Sequence, residues 1–438
     1  MASALCPAIF FAAPASGQGK TTMTAAIARL LTRHGKKVRI FKTGPDYLDP
    51  QILEQASKNP VVQIDLWMAG EAWCRQQFYL AAQSADIILV EGAMGLFDGS
   101  PSSADLAAYF NIPVALIMDV KGMAQTAGAV AAGLARFRDD CKVIGLVANN
   151  CASQRHQELI EQTLPDDLPL ITTLKRSEEI ALPERHLGLV QASEVRDELE
   201  QRFEAAADLL DAERLLSWLA ELPAIEFFAE PEQVMEPLLA GVKIAVAKDQ
   251  AFSFIYQSNL ALLESLGASV CFFSPLQDSQ LPDADALWLP GGYPELHAQA
   301  LAENKAMKQQ IAAFHQQGKP ILAECGGFLY CMEQLTDLAG EQFEMLALMP
   351  GQGSMRGKRG CQGMQTAVLP EGDVRGHAHH RSRSAQTPEP IGYGKRQRHP
   401  APGEEIYRYG SLTASYLHLF FASNPAAVAS LFSNKAAG

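Results

Sequence analysis

Two groups of residues in this chain of 438 have the types and spacing that chemistry needs. The first is Ser16-Gly17-Gln18-Gly19-Lys20-Thr21-Thr22, which follows an apolar run over 8–13. Strand, small-residue turn, Gly-Lys-Thr and helix, in that order, lay out a phosphate-binding loop. Backbone N–H groups at the helix N-terminus face the phosphates, and the helix dipole favours negative charge there. In that layout Lys20 reaches the terminal phosphates and the Thr21 hydroxyl holds Mg²⁺. The pattern departs at its first position, where Pro14 stands instead of glycine. Gly17 and Gly19 remain where the backbone must approach phosphate. The second group is Cys325-Gly326-Gly327, at the end of a short buried run that begins at Pro320. A cysteine at a sharp strand-to-helix turn is a candidate nucleophile. The glycines relieve crowding, the sulfur is expected exposed at the sheet edge, and the helix N-terminus favours a thiolate. The other seven of the eight cysteines have no such setting and read as core.

Further candidates sit at the ends of expected strands. A strand over 37–42 is broken by Gly44 and Pro45, so Asp46 and Asp49 fall on a loop at its C-terminal end, where open α/β sheets bind ligands. They would hold Mg²⁺, position a substrate, or serve as ordinary turn aspartates. A strand over 86–90 ends in Glu91, with glycines after it, an arrangement that resembles the second metal-binding acid of phosphate-loop enzymes. Pro290-Gly291-Gly292 follows another strand; its N–H groups suit an oxyanion hole, although a plain turn has the same sequence. His418, in the apolar segment 414–421, is a base for Cys325 or a satisfied core histidine. The stretch 355–399 is rich in Arg and His and reads as solvated loop charge.

The elements that must position these residues alternate. Strands over 113–120 and 143–148 flank a helix over 123–137, which implies a mostly parallel sheet with helices on both faces. After helical spacing and three prolines, a new strand over 242–247 and a helix over 257–267 closed by Gly267 begin a second α/β domain. The expected organisation is a domain over 1–225, a linker over 226–240 and a domain over 241–438. Apolar content of 48% and charged content of 19% are those of a soluble globular protein, and a net charge of −13 argues against nucleic acid or a membrane surface as partner. No apolar run is long enough to span a bilayer. Scattered thiols with no CxxC pair point to a reducing cytoplasm.

Several motifs occur together and in order. They are Gly19-Lys-Thr-Thr22, Lys42-Thr-Gly-Pro-Asp-Tyr-Leu-Asp49, Val90-Glu-Gly-Ala-Met-Gly-Leu-Phe-Asp98, Asn149-Asn-Cys-Ala-Ser-Gln-Arg-His156 and Leu182-Pro-Glu-Arg-His-Leu-Gly188. Jointly they resemble the cobyrinate (or hydrogenobyrinate) a,c-diamide synthase family. The resemblance spans nearly the whole chain. It implies a phosphate-loop domain similar to dethiobiotin synthetase, followed by a class I glutamine amidotransferase domain. The implied activity is ATP- and glutamine-dependent amidation of corrinoid carboxylates through acyl phosphates. By the same resemblance Ser16 to Thr22 bind ATP, and Thr21, Asp46 and Glu91 hold Mg²⁺. Tyr47, Leu48, Asp49 and Asp98 line the macrocycle side.

In the second domain the resemblance makes Cys325 the nucleophile, His418 the base, and the Gly292 and Gly326 amides the oxyanion hole. Class I glutaminases commonly follow the histidine with Pro-Glu; here Leu419-Phe420 follows, which implies a Cys–His dyad. Ala378 also replaces an acid usual in the family. The implied partners are a corrinoid polycarboxylate, ATP and glutamine, and a homodimer is compatible with the sequence. The same chemistry on another tetrapyrrole, such as nickel-sirohydrochlorin or cobyric acid, is the neighbouring reading. A phosphate-loop ATPase with a degenerate amidotransferase domain is the reading from another class, and intact Cys325 and His418 speak against it.

Overall fold

Residues 8–13 are almost completely excluded from solvent, which only a strand covered on both faces permits. They form the end of β1 (Ser3–Ala12) in a computed structural model that describes residues 2–185, 188–189, 192–231, 235–357 and 360–433. His186 and Leu187 of the last sequence motif, and Lys358 and Arg359 of the basic stretch, lie outside the described residues. The chain divides into two units, Met1–Glu232 and Gln233–Gly438.

The first unit continues with β2 (Val38–Thr43), β3 (Val61–Ile64), β4 (Ile87–Glu91), β5 (Val114–Asp119), β6 (Val143–Cys151) and β7 (Leu170–Lys175). A two-residue pair, β8 (Glu184–Arg185) and β9 (Gly188–Leu189), and then β10 (Ala224–Phe228) follow. The main sheet runs β3-β2-β4-β1-β5-β6-β7 and all its pairings are parallel; β10 adds antiparallel to β1. Because β2, β4 and β1 are neighbours, the loops at their C-terminal ends emerge side by side. Asp46 lies on the first of these loops, Glu91 closes β4, and Lys20 opens the helix that follows β1.

The alternation expected from sequence is present, with some differences. The short β3 and β7 and the helices Leu48–Ser57, Glu71–Ala82 and Ser103–Tyr109 were not foreseen. Asp49 is not on a loop but in the first turn of the helix Leu48–Ser57. Residues 226–228, expected in the linker, belong to β10, and Phe227 there is buried.

In the second unit the strands are β11 (Lys243–Ala247), β12 (Ser269–Phe273), β13 (Ala286–Leu289), β14 (Ile321–Glu324), β15 (Gln334–Thr336), β16 (Gln342–Glu344), β17 (Gln352–Met355), β18 (Gln362–Leu369), β19 (Gly372–His379), β20 (Ser382–Ala385), β21 (Gly392–Arg396), β22 (Pro402–Tyr409), β23 (Leu412–Ser415) and β24 (His418–Leu419). One sheet runs β12-β11-β13-β14-β23-β22-β21-β18-β19-β24, parallel from β12 to β23 and antiparallel beyond. Alternate residues of its parallel strands enter two separate cores. Ala245, Leu287 and Ile321 face one, and Ile244, Trp288 and Leu322 face the other. The basic stretch over 355–399 is therefore mostly strand and not solvated loop. Arg375 is exposed on β19, but His377 beside it is buried. The helix Gln257–Ser265 ends near Gly267, whose φ of 91° is the left-handed value that glycine takes without strain.

One buried charge ties the first unit together. Arg29, on the helix Lys20–Arg33, is 2% exposed. It donates to the Ala56 and Gln55 carbonyls at 3.1 and 3.0 Å, and to Glu200 and Glu204 at 2.6 and 2.7 Å. The two glutamates are partly exposed, so the carbonyls and the packing carry most of the effect. Arg29→Met is expected to lower the stability of this unit by about 2–3 kcal/mol, and Glu204→Gln by less than about 1 kcal/mol, in urea unfolding.

Candidate functional site

The loop after β1 turns through Gly17 and Gly19, with φ of 78° and 82°. A side chain on Gly19 would also collide with Asn149, since a Cβ there would lie 2.1 Å from Asn149 Nδ2. That amide donates to the Gln18 carbonyl at 3.0 Å and holds the loop from β6. The helix Lys20–Arg33 starts with no side-chain cap, which leaves its first N–H groups available to an anion. Lys20 is nearly buried and donates to the Met94 carbonyl at 2.8 Å. Burial and the neighbouring Lys42 hold its pKa below the ordinary lysine value.

Below the loop lies a knot of charge. Lys42 Nζ, at the end of β2, donates to Asp49 Oδ2 and to Glu91 Oε1, both at 2.6 Å. The Thr21 hydroxyl is 3.1 Å from that Asp49 oxygen and 3.0 Å from that Glu91 oxygen. Burial opposes the Lys42 charge, but Asp49, Glu91 and Asp46 overcome it and raise its pKa well above the usual range. Burial likewise opposes ionisation of Asp49, and Lys42 outweighs it, so this carboxyl titrates below its usual range. Asp46 is different. Its Oδ1 accepts from the Leu48 and Asp49 amides at 3.1 and 3.2 Å, capping the helix, and its Oδ2 is 3.7 Å from Lys42. Burial and the Asp49 charge push its pKa up.

Of the oxygens named for Mg²⁺ from sequence, Thr21 and Glu91 come together. The carboxylate beside them is Asp49 and not Asp46. Glu91 Oε2 is buried with no hydrogen-bond partner among the described residues. A hydroxyl, two carboxylates and an unsatisfied buried oxygen suit a hard cation. Among the described residues no group of three or more His, Cys, Asp or Glu forms a metal site. Tyr47 is buried at the start of the neighbouring helix, beside Leu48. Asp98 Oδ2 accepts from the Gly95 amide at 3.1 Å. Lys42 was missed as a site residue, although a lysine closing a strand beside two acids is a usable signal.

In the second unit β14 ends in Cys325, which has φ 46° and ψ −101°. A non-glycine residue in that conformation is strained, and such strain marks functional turns. The turn is clamped on both sides. Cys325 N–H donates to the Ser415 carbonyl of β23 at 2.8 Å, and Gly327 N–H donates to the Pro290 carbonyl at 3.0 Å. A Cβ on Gly326 would lie 2.9 Å from the Gly292 amide nitrogen, so the two amides proposed for an oxyanion are close neighbours. A Cβ on Gly291 would lie 2.2 Å from His418 Cε1. The elbow, the double glycine and the histidine are thus brought to one place.

His418 pairs across β24 and β19 with His377, and their rings stack at 5.0 Å and 17°. The His377 Nδ1 is 3.3 Å from the Tyr256 hydroxyl. Nothing in the sequence marked His377 for this place. His380 instead stacks on Tyr416 at 3.8 Å and lies 3.2 Å from Glu404.

Two expectations for Cys325 are corrected. Its side chain is not exposed at a sheet edge but 5% exposed in the core. Burial, then Glu295, pushes the thiol pKa up, so the resting group is a thiol and not a thiolate. Burial, then His380 and His379, lowers His418 to about 3, so the imidazole is neutral as well.

Comparison with known proteins follows this geometry. Residues 9–190 match the CobQ/CobB/MinD/ParA nucleotide binding domain, and residues 243–426 match the CobB/CobQ-like glutamine amidotransferase domain. The hydrogenobyrinate a,c-diamide synthase of Stutzerimonas stutzeri (strain A1501) is 51% identical over 432 residues, which cover 98% of this chain and 99% of that protein. The chain belongs to the a,c-diamide synthase family. The hydrogenobyrinate a,c-diamide synthase of Pseudomonas aeruginosa is 50% identical over 98% of each chain. The cobyrinate a,c-diamide synthase of Herminiimonas arsenicoxydans is 44% identical over 96% of this chain and 95% of its own. The expected fold classes of both halves, and the resemblance read from the motifs, are borne out. Among the described residues no helix is long and apolar enough to cross a membrane.

The neutral His418 of this family member has a consequence for acid stability. An unfolded chain takes up a proton near the ordinary value of 6.5, whereas the folded chain refuses it until about 3. The stability tied to this group is therefore complete above 6.5 and declines as pH falls toward 3. His418→Asn should flatten the fall in urea midpoint between pH 7 and 4. An unchanged slope would show that His418 is not held neutral.

Proposed function

We propose that the chain amidates the a and c side-chain carboxylates of cobyrinate or hydrogenobyrinate, using ATP and glutamine. The observation that carries this is the pairing, on one chain matched end to end by a,c-diamide synthases, of a phosphate loop with a clamped cysteine elbow.

A carboxylate is a poor electrophile because oxide is a poor leaving group. Its oxygen attacks the γ-phosphorus of ATP, ADP departs, and an acyl phosphate results. Ammonia then attacks the acyl carbon and phosphate leaves. The amides from Ser16 to Thr22 cradle the phosphates, and Lys20 moves from the Met94 carbonyl to offset the charge that develops. Thr21, Asp49 and Glu91 would hold Mg²⁺, with Asp46 capping the helix that presents Asp49. When bound, Mg²⁺ neutralises phosphate charge. Lys42 keeps Asp49 ionised and holds both carboxylates in place. Tyr47, Leu48 and Asp98 face the acceptor.

In the second unit the Cys325 sulfur attacks the glutamine amide carbon. His418 takes the thiol proton and passes it to the departing ammonia. The Gly292 and Gly326 amides hold the oxyanion, and water releases glutamate from the thioester. Both resting groups being neutral, the proton moves only once glutamine is seated. A chain that spends ATP and glutamine, with free thiols at all eight cysteines, belongs in the cytoplasm.

Mass spectrometry of hydrogenobyrinate and cobyrinate incubated with ATP, Mg²⁺ and glutamine should show two carboxylates converted to amides. Conversion of nickel-sirohydrochlorin alone would reassign the substrate. Cys325→Ala should lose glutamine-dependent synthesis and keep ammonia-dependent synthesis. Lys20→Ala should lose both, by roughly a hundredfold or more. Gly291→Ala, which drives a methyl into His418, should lower only the glutamine-dependent rate, by about a hundredfold.

A further inference from the structure

Glu324 stands immediately before Cys325 and is 2% exposed. One carboxyl oxygen accepts from the Leu419 N–H at 2.8 Å. The other accepts from the Trp288 indole N–H at 2.9 Å. Leu419 is the residue immediately after His418. The side chain before the nucleophile therefore bonds the backbone after the base. No ladder hydrogen bond supplies this link, because β14 pairs with β13 and β23, while β24 pairs with β19 at the far end of the sheet order.

The arrangement is unfavourable for the fold alone. Beside the carboxyl is a small cavity lined by Leu322, Ala367, Ile406, Leu417 and Leu419. Burial pushes the Glu324 carboxyl up to about 8, against its two hydrogen bonds. A carboxyl kept in such surroundings opposes folding, where an apolar side chain would fill the space. What it gains is a fixed distance. Where an acid two residues after the histidine is present it can orient the base; here that position holds Phe420.

We propose that Glu324 is the positioning residue of the glutaminase site, setting His418 against Cys325 by holding the Leu419 amide. This rests on the reading of Cys325 and His418 as nucleophile and base. The Trp288 indole N–H only satisfies the carboxyl's second oxygen.

The test uses the full chain and four variants, assayed with glutamine and, separately, with ammonium chloride as nitrogen source. Glutamine carries one acceptor and one donor at its tip, so Glu324→Gln cannot satisfy two N–H groups. It should lower the glutamine-dependent kcat by at least about tenfold, with KM for glutamine and the ammonia-dependent rate within about twofold. Glu324→Asp, which keeps the carboxyl but is one methylene short, should show the same split. Trp288→Phe in the Glu324→Gln background removes the opposing N–H and frees the amide oxygen for Leu419. That double variant should recover most of the lost rate, whereas Trp288→Phe alone should change it little.

A full glutamine-dependent rate in Glu324→Gln, or in Glu324→Asp should the first variant not fold, would overturn the proposal. So would a parallel loss of the ammonia-dependent rate, or a double variant that stays slow. Retention of glutamine use by Cys325→Ala would instead overturn the underlying reading of the site.

Discussion

A single buried ammonium sets the geometry of the first unit's site. Lys42 is shared between Asp49 and Glu91, which come from a helix and from a neighbouring strand. The ammonium would not stay charged at that depth without them, and it in turn holds the Asp49 carboxyl ionised. Lys20 stands near the same pair, and Asp46 lies at the margin. The knot sits beside the Thr21 hydroxyl, below the loop that ends at Gly19. The parallel sheet makes this possible, because β2, β4 and β1 deliver their C-terminal ends to one place.

The second unit reaches its geometry by close backbone approach and not by charge. A Cβ on Gly327 would lie 2.0 Å from the Leu289 carbonyl, and one on Gly292 would lie 2.0 Å from that of Ala251. Segments after β11, from β13 and after β14 meet with no room for further side chains. The strained Cys325 is held there by amide hydrogen bonds on either side. Rigid backbone of this kind suits the oxyanion site proposed for it, because donors already in place need little reorganisation during reaction.

Much of this was legible in the residues. Gly19-Lys20-Thr21 and Cys325-Gly326-Gly327 are local signals, because a phosphate loop and an elbow each form within a few residues. Strands such as β4 and β14 are short continuous apolar runs and could be placed directly. The place of Asp49 beside Thr21 was not legible, since it depends on a helix that starts at Leu48 and turns that aspartate toward Lys42. The burial of Cys325 was not legible either, for it follows from elements far along the chain. His377 belongs to the same class: its place beside His418 comes from strand register between β19 and β24, which no local pattern encodes.

The protonated state of Cys325 also bears on survival in oxygen. Peroxide and its relatives react with thiolates far faster than with thiols, and they need access to the sulfur. A sulfur that is covered and keeps its proton offers them neither. Progress up the ladder from sulfenic to sulfonic acid should therefore be slow for as long as the sulfur stays covered and protonated.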